Sequence, residues 1–188
     1  MNLNRFPRRT LRSDRVIHRV HRTARGCWWF SSDGSGRFDP VATGSGACYF
    51  AEKPLGAFIE VFRKRMLIAE EEINARSLSS VSLGRDLRLA DLTSRRALSF
   101  GVTAGLGAGE DYEPSQAFAA AAVADGFEGI RYLARHDPAQ KLYSVALFAP
   151  AGGVDAADPA WPQNATPIPS ALVDEATRRF GYRVLPAP

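Results

Sequence analysis

Residues 18–40 read HRVHRTARGCWWFSSDGSGRFDP, a basic stretch that passes into an aromatic run and then into a loop rich in Gly, Ser and Asp. The alternation VIHRVH over 16–21 predicts a short β-strand. The segment SSDGSGRFDPVATGSG over 31–46 predicts a loop with tight backbone turns. A second strand, ACYFA, is predicted at 47–51. This region is therefore predicted to form two strands joined by a glycine-rich loop.

Downstream of this unit, helices and strands alternate without a regular rhythm. Pro54 opens a predicted helix over 55–73, whose apolar residues recur at three- and four-residue intervals. Another helix is predicted over 113–126, with Pro114 in its first turn and Gly126 at its end. The other predicted segments are strands at 79–83, 87–92, 129–134, 142–148 and within GYRVL, and helical pieces near 94–100 and 170–180. This mixture predicts an α+β fold rather than a doubly wound sheet.

Length and composition are those of one globular domain. The chain has 188 residues, of which 45% are hydrophobic, enough to bury a core without disulfides. We predict a basic N-terminal arm over 1–15, a central domain over 16–150, and a Pro- and Ala-rich extension over 151–188 whose final helix packs on the same domain. The sequence has no long apolar run and no apolar segment directly after its Arg-rich start. These features predict a soluble, cytoplasmic protein.

Charge is unevenly distributed along the chain. Residues 1–25 contain eight arginines and one acid, a formal charge of +7, so the rest of the chain carries −3 of the total of +4. Residues 1–14 lack hydrophobic periodicity, which predicts a mobile arm. Basic arms bind phosphate backbones or partner proteins, so a non-catalytic binding module is one hypothesis for the function. The arm has no interleaved aromatic residues and no recognition helix follows it, so we expect no direct nucleic-acid binding.

Several residues of reactive type have ordinary structural explanations. His18 and His21 are three apart on a predicted strand and point to opposite faces. Cys27 and Cys48 match no metal-binding spacing, so neither a metal nor a disulfide is predicted. The motif GLGAG at 105–109 follows no strong strand, and an isolated glycine-rich match is weak evidence for a phosphate loop.

Four polar side chains are harder to explain together than one at a time. They are Arg37 in the glycine-rich loop, Tyr49 on a strand, Glu60 at the border of an apolar helical stripe, and Ser115 in the first turn of a helix. Taken singly, each also suits a structural role: a loop cation, a strand tyrosine, a solvated helix position and an N-cap serine. Their order along the chain carries more information than any one of them.

The ordered series of motifs resembles the RES domain family over about residues 16–150. The series consists of residues 18–40, the strand with Tyr49, FIEVF with Glu60, and YEPSQAFAAAAVADGFEGIRY with Ser115. The family is named for an arginine, a glutamate and a serine, and its members are commonly toxins of RES–Xre toxin–antitoxin pairs. The resemblance implies an ADP-ribosyltransferase-like fold of small, twisted, mostly antiparallel sheets flanked by helices. It also implies a catalytic domain that takes NAD as substrate and uses no metal.

The resemblance also implies roles for individual residues. Arg37, Glu60 and Ser115 are implied as catalytic residues. The residues implied in NAD binding are Arg19, Arg37, Tyr49 and Ser115. Arg22 repeats the local pattern around Arg19 and is the alternative for the first family arginine.

These residue types suit the chemistry of NAD. Guanidinium groups of Arg19 and Arg37 can fork onto pyrophosphate oxygens. A carboxylate such as Glu60 can stabilise the positive charge that develops on the ribose as nicotinamide leaves. Tyr49 can stack on nicotinamide or hold the ribose. Ser115, beside the positive end of a helix dipole, is a predicted seat for a phosphate of NAD or of an acceptor.

Three functions are compatible with these residues. The first is an NAD-consuming toxin-like enzyme, an NAD phosphorylase or glycohydrolase, that cleaves the nicotinamide–ribose bond with phosphate or water as acceptor. The second is an ADP-ribosyltransferase that modifies a protein or nucleic-acid target, and the third is the non-catalytic module. The expected partners are NAD, inorganic phosphate and, by resemblance, an Xre-type helix-turn-helix antitoxin. A homo-oligomer stays open, and no membrane partner is expected.

Overall fold

The computed structural model describes residues 2–62, 65–153, 161 and 163–186. In these ranges the strands are β1 (Arg8–Leu11), β2 (Val16–Arg22), β3 (Ser45–Ala51), β4 (Leu67–Ala69), β5 (Arg76–Ser82), β6 (Leu87–Asp91), β7 (Gly129–Leu133), β8 (Tyr143–Pro150), β9 (Gln163–Pro167) and β10 (Arg183–Leu185). The α-helices are α1 (Pro54–Phe62), α2 (Glu70–Asn74), α3 (Ala104–Ala108), α4 (Glu113–Ala124) and α5 (Ser170–Phe180), and 3₁₀ segments cover Thr23–Arg25 and Arg95–Phe100. No helix in the described ranges is long and apolar enough to span a membrane.

Eight of the described strands form one sheet in the order β1-β6-β7-β8-β3-β2-β5-β9, and β10 pairs with β4 in a separate parallel pair. Within the large sheet, β6 and β7 run parallel and every other pair of neighbours is antiparallel. The α5 helix and β10 lie beside α1 and β4, because Leu172, Ala176 and Tyr182 share a buried cluster with Phe58. The predicted α+β class with a mostly antiparallel sheet is confirmed.

The large sheet opens between β2 and β3. These two strands share one register pair, His18 with Ala51, whereas β2 pairs with β5 along its whole length and β3 does the same with β8. Two strands that stay anchored to different neighbours and lose their mutual ladder must diverge. The α1 helix starts directly after β3 and packs against both strands beside the opening. This divergence leaves a cleft between the two strands.

The N-terminal segment belongs to the core, so the predicted mobile arm over 1–14 is wrong for its described residues. Leu3 and Phe6 are buried, and the Phe6 ring packs edge-on against Phe118 at 5.1 Å between centroids. The Leu3 amide donates to the Asp125 carboxylate at 2.6 Å. β1 then extends the sheet beside β6, with Leu11 buried. These apolar residues are irregularly spaced, so hydrophobic periodicity does not identify them as core residues.

The helix predicted over 55–73 is also shorter than expected. α1 ends at Phe62, residues 63–64 lie outside the described ranges, and the chain continues as β4 and α2. The Arg183 amide donates to the Met66 carbonyl at 2.7 Å, and β10 then runs alongside β4. Ile68 is buried by this pairing. Residues 67–69 therefore form a strand, despite their helical apolar pattern, because β10 pairs with them.

Elements with strong local signals are where the sequence predicts them. α4 begins with Pro114 in its first turn and stops before Gly126, which has a φ of +72°. The predicted helix near 170–180 is α5, and β7 and β8 form the predicted hairpin. β9, an exposed edge strand beside β5, was not predicted. Of the predicted Pro- and Ala-rich extension over 151–188, residues 154–160, 162, 187 and 188 lie outside the described residues.

Truncating Phe6 tests the anchoring of the N-terminal segment. We expect Phe6→Ala to lower the free energy of unfolding by about 3–5 kcal/mol, because a buried ring is replaced by a cavity. Its exposed neighbour is the control, and Arg5→Ala should change the value by less than about 0.5 kcal/mol. Urea titration of both variants gives the comparison. Equal stabilities of the two variants would contradict the anchoring.

Candidate active site

A cavity of about 710 Å³ opens where β2 and β3 diverge. Its charged lining residues are Arg19, Arg37, Arg65, Arg135, Glu60 and Glu110. Four arginines against two glutamates give the described lining a formal charge of +2. The volume lies within the range of about 300–1,000 Å³ that is usual for small-molecule sites. An excess of positive charge in a cleft attracts anionic ligands.

The glycine-rich loop that borders the cleft is held by the buried carboxylate of Asp39. Its Oδ1 accepts a hydrogen bond from the Tyr49 hydroxyl at 2.8 Å, and its Oδ2 accepts from the Gly36 amide at 2.9 Å and the Ser31 hydroxyl at 2.8 Å. The Tyr49 oxygen in turn accepts from the Phe38 amide at 2.9 Å. Burial, and then the charge of Asp39, raises the pKa of Tyr49 far above its ordinary value, so the phenol stays a donor. The loop is thereby tied to β3.

Position 36 requires glycine. A Cβ atom there would overlap with the Asp39 carboxylate and with the Tyr49 hydroxyl oxygen. The missing side chain lets the backbone come close to both groups. Gly36 is therefore part of the same hydrogen-bonded unit as Asp39 and Tyr49.

Arg37 is 9% exposed and is oriented by backbone carbonyls. Its Nη2 donates to the Gly109 carbonyl at 2.8 Å and its Nη1 to the Leu106 carbonyl at 3.5 Å. The guanidinium carbon lies 4.5 Å from the ring centre of Tyr112. Burial lowers the pKa of Arg37 from its ordinary value, yet a guanidinium stays protonated in proteins. Because the acceptors are neutral, these bonds fix the guanidinium without cancelling its charge.

The first turn of α4 holds the surrounding segments together. Ser115 is fully buried, and its hydroxyl donates to the Leu106 carbonyl at 2.6 Å. Gln116 Nε2 donates to two carbonyls of the glycine-rich loop, at 2.8 and 3.1 Å. Ser115 is not among the residues that line the cleft. The contact that the structure shows for Ser115 is this bond, which positions the segment whose carbonyls hold Arg37, and its predicted role as a phosphate seat stays a prediction.

Arg19 reaches the cleft from β2 and is half-buried. Its Nη1 donates to the Cys27 carbonyl oxygen and to the Cys48 Sγ, each at 2.5 Å. Both cysteines are buried and unbridged, and burial raises the pKa of the Cys48 thiol. Arg22, the alternative for the first family arginine, is exposed and does not line the cleft. The structure therefore brings Arg19 to the site and leaves Arg22 outside it.

Glu60 lies on α1, half-buried, and lines the cleft together with Ala57 and Val61. The buried side of the helix, including Phe58, packs into the core and fixes its position. The carboxylate is close enough to Tyr182 for its charge to act there: burial, and then Glu60, raises the pKa of Tyr182 to about 12. Glu60 thus places a negative charge inside a cleft that is positive overall.

Comparison with known proteins identifies the family to which this chain belongs. A family model for the RES domain matches residues 15–166. The chain belongs to the RES domain family. A chain in the crystal structure of the M. tuberculosis MbcT–MbcA toxin–antitoxin complex has a similar fold, with a TM-score of 0.65 and 17% sequence identity over 88% of this chain and 90% of that chain. A search of curated proteins finds no significant match.

Four of the five residues predicted for this RES domain line one cleft, namely Arg19, Arg37, Tyr49 and Glu60. The residues that sequence reasoning missed are Asp39, Gln116, Tyr112, Glu110 and Arg135. An acid within a run of Gly and Ser was an available signal for Asp39, because such carboxylates often cap loop amides. No local pattern indicates Arg135, since β7 brings it to the cleft from a distant part of the chain.

The role of Asp39 in holding the loop is testable by a single-atom change. Asp39→Asn should lower the free energy of unfolding by about 1–3 kcal/mol, because an amide NH₂ would face a buried donor. Asp174, an exposed acid on α5 away from the loop, supplies the control, and Asp174→Asn should change stability by less than about 0.5 kcal/mol. Chemical denaturation measures both values. The assignment fails if Asp39→Asn is as stable as Asp174→Asn.

Proposed function

We propose that this RES domain consumes NAD by breaking the bond between nicotinamide and ribose, with phosphate or water as the acceptor. The observation that supports the proposal is a single cleft lined by Arg19, Arg37 and Glu60. NAD carries a pyrophosphate, which needs cations, and its cleavage develops positive charge on a ribose, which needs a carboxylate. The residues present fit both requirements.

Arg37 and Arg19 bind the pyrophosphate in this proposal. The carbonyl contacts of Arg37 and the Cys27 and Cys48 contacts of Arg19 occupy only part of each guanidinium. A guanidinium has five N–H donors in a planar fork, so donors are left for phosphate oxygens. Both side chains are oriented before the ligand arrives, which reduces the entropy lost on binding.

Aromatic side chains provide the surface for the bases of the dinucleotide. The Tyr49 hydroxyl is already bonded to Asp39 and Phe38, so its ring face is the part left for a ligand. Tyr132 and Phe50 also line the cleft. Flat apolar faces of this kind suit the nicotinamide or the adenine ring.

Glu60 acts on the reacting ribose. The bond between the ribose carbon and the pyridinium nitrogen breaks, and its electron pair leaves with nicotinamide, which becomes neutral. The ribose passes through an oxocarbenium-like state whose positive charge the Glu60 carboxylate stabilises. An oxygen of phosphate or water then bonds to the same carbon, and the proton of the acceptor is released.

We further propose that the protein is the toxin of a toxin–antitoxin pair. Membership of the RES domain family supports this, as does the similarity in fold to a chain from a complex described as toxin–antitoxin. Loss of cytoplasmic NAD is the toxic effect in this proposal. The partner is an Xre-type helix-turn-helix antitoxin that covers the cleft.

Replacing Glu60 tests the proposed reaction. We expect the wild-type protein to release nicotinamide from NAD and Glu60→Gln to do so about 100–1,000-fold more slowly, because a charge-stabilising group is lost. Glu71→Gln, at an exposed position on α2, is the matched control and should keep the wild-type rate. Chromatography of reactions with and without phosphate identifies the acceptor.

Two outcomes of this experiment would change the proposal. Wild-type protein that leaves NAD intact in both buffers, after removal of any copurified partner, would overturn it. Transfer of label from NAD to a protein or nucleic acid would instead assign the protein to the transferases.

Kinetics of single variants can distinguish the roles of the two candidate arginines of β2, Arg19 and Arg22. Arg19→Gln should raise the KM for NAD about tenfold or more, because a charge-assisted hydrogen bond contributes about 1.5–3 kcal/mol. Arg22→Gln removes the same charge three residues away, outside the cleft, and should leave the KM within about twofold of wild type. Initial-rate kinetics at one ionic strength give both values. Similar KM values for the two variants would refute a direct contact by Arg19.

A further inference from the structure

An ion pair spans the mouth of the cleft. Glu110 lies in the segment between α3 and α4, Arg135 follows β7, and the Arg135 Nη2 contacts the Glu110 Oε1. Both side chains line the cavity. The Glu110 side chain is 79% exposed and that of Arg135 is 19% exposed. The pair therefore joins two separate segments where the cavity meets solvent.

Neither segment depends on this ion pair for its structure. The segment with Glu110 is held by the bonds of Arg37 and Ser115 to its carbonyls. The turn after Arg135 is held by the buried Asp137 carboxylate, which accepts from backbone amides at 2.7, 2.9 and 3.1 Å. An ion pair with one exposed partner contributes only about 0–1 kcal/mol to stability. The contact is therefore weak enough to exchange when another anion arrives.

The positive charge of Arg135 also affects Arg37, the buried cation of the site. This charge contributes, after burial, to lowering the pKa of Arg37, so the two guanidinium groups lie within electrostatic range of each other. Two cations that face one cavity favour an anion shared between them. In the structure Glu110 partly supplies that negative charge.

We propose that Arg135 determines specificity by binding a phosphate of the ligand, and that Glu110 competes with this phosphate for the Arg135 guanidinium. The identity of the ligand as a dinucleotide rests on the proposed function. On binding, a phosphate oxygen replaces the Glu110 carboxylate, which turns into solvent. Glu110 thus weakens the binding of those ligands that place a phosphate on Arg135, and it does so only through its contact with that guanidinium.

Opposite effects of the two partners are the signature of this competition. In calorimetric titrations of the full chain with ADP-ribose, Arg135→Gln should raise the Kd about tenfold. Glu110→Gln should lower the Kd about two- to fivefold, because it removes a surface ion pair that binding must break. The double variant should match Arg135→Gln, since the competitor matters only while Arg135 is present. A purely structural pair would shift both single variants in the same direction or leave the Kd unchanged.

A matched control and a second readout keep the test independent of catalysis. Glu175→Gln breaks an ion pair on α5, with Arg179, neither of whose residues lines the cleft, and should leave the Kd for ADP-ribose unchanged. A Kd that rises or stays constant in Glu110→Gln would overturn the inference, as would a wild-type protein that binds neither ADP-ribose nor inorganic pyrophosphate. Opposite Kd shifts without NAD cleavage would sink only the proposed function. Cleavage without those shifts would sink only this inference.

Discussion

The buried carboxylate of Asp39 is the group on which the rest of the candidate site depends. It is fully buried and accepts hydrogen bonds from Ser31, Gly36 and Tyr49. A buried charge is tolerated when its lone pairs are satisfied, and losing a partner then costs more than the bond itself contributes. Asp39 therefore ties the glycine-rich loop to Tyr49 on β3. Arg37 extends from that loop, so its position follows from a carboxylate that does not line the cleft.

The segment before α4 also helps to hold the Arg37 side chain in place. The Leu106 carbonyl accepts from both Arg37 and the fully buried Ser115, so the start of α4 fixes the acceptor as well as the loop. Preorganised polar groups of this kind need not rearrange when charge develops in a ligand. The site thus consists of a few side chains that face the cleft and a larger set, behind them, that holds these in place.

The sequence predicts those parts of the structure whose signals are local. Proline, alanine and glycine mark α4, and alternation marks β2, so both are predicted close to their observed bounds. The anchoring of Leu3 and the pairing of β4 with β10 depend on distant segments, which periodicity does not detect. Arg37, Tyr49 and Glu60 were predicted as site residues by resemblance to the RES domain family, and all three line the cleft. The inward direction of Ser115 was not predicted, because it is set by how the segment before α4 packs.

The arginines of residues 1–25 show why charge density in a sequence is a poor guide to a binding site. Arg8 and Arg9 lie exposed on an edge strand whose neighbouring apolar residues are in the core. The described residues of 1–14 are therefore part of the fold and not a mobile arm. Arg19, from the same stretch, lies half-buried in the cleft. Partial desolvation strengthens an electrostatic interaction that water and salt screen at the surface. A guanidinium in the cleft therefore attracts an anion more strongly than one on the exposed sheet edge does.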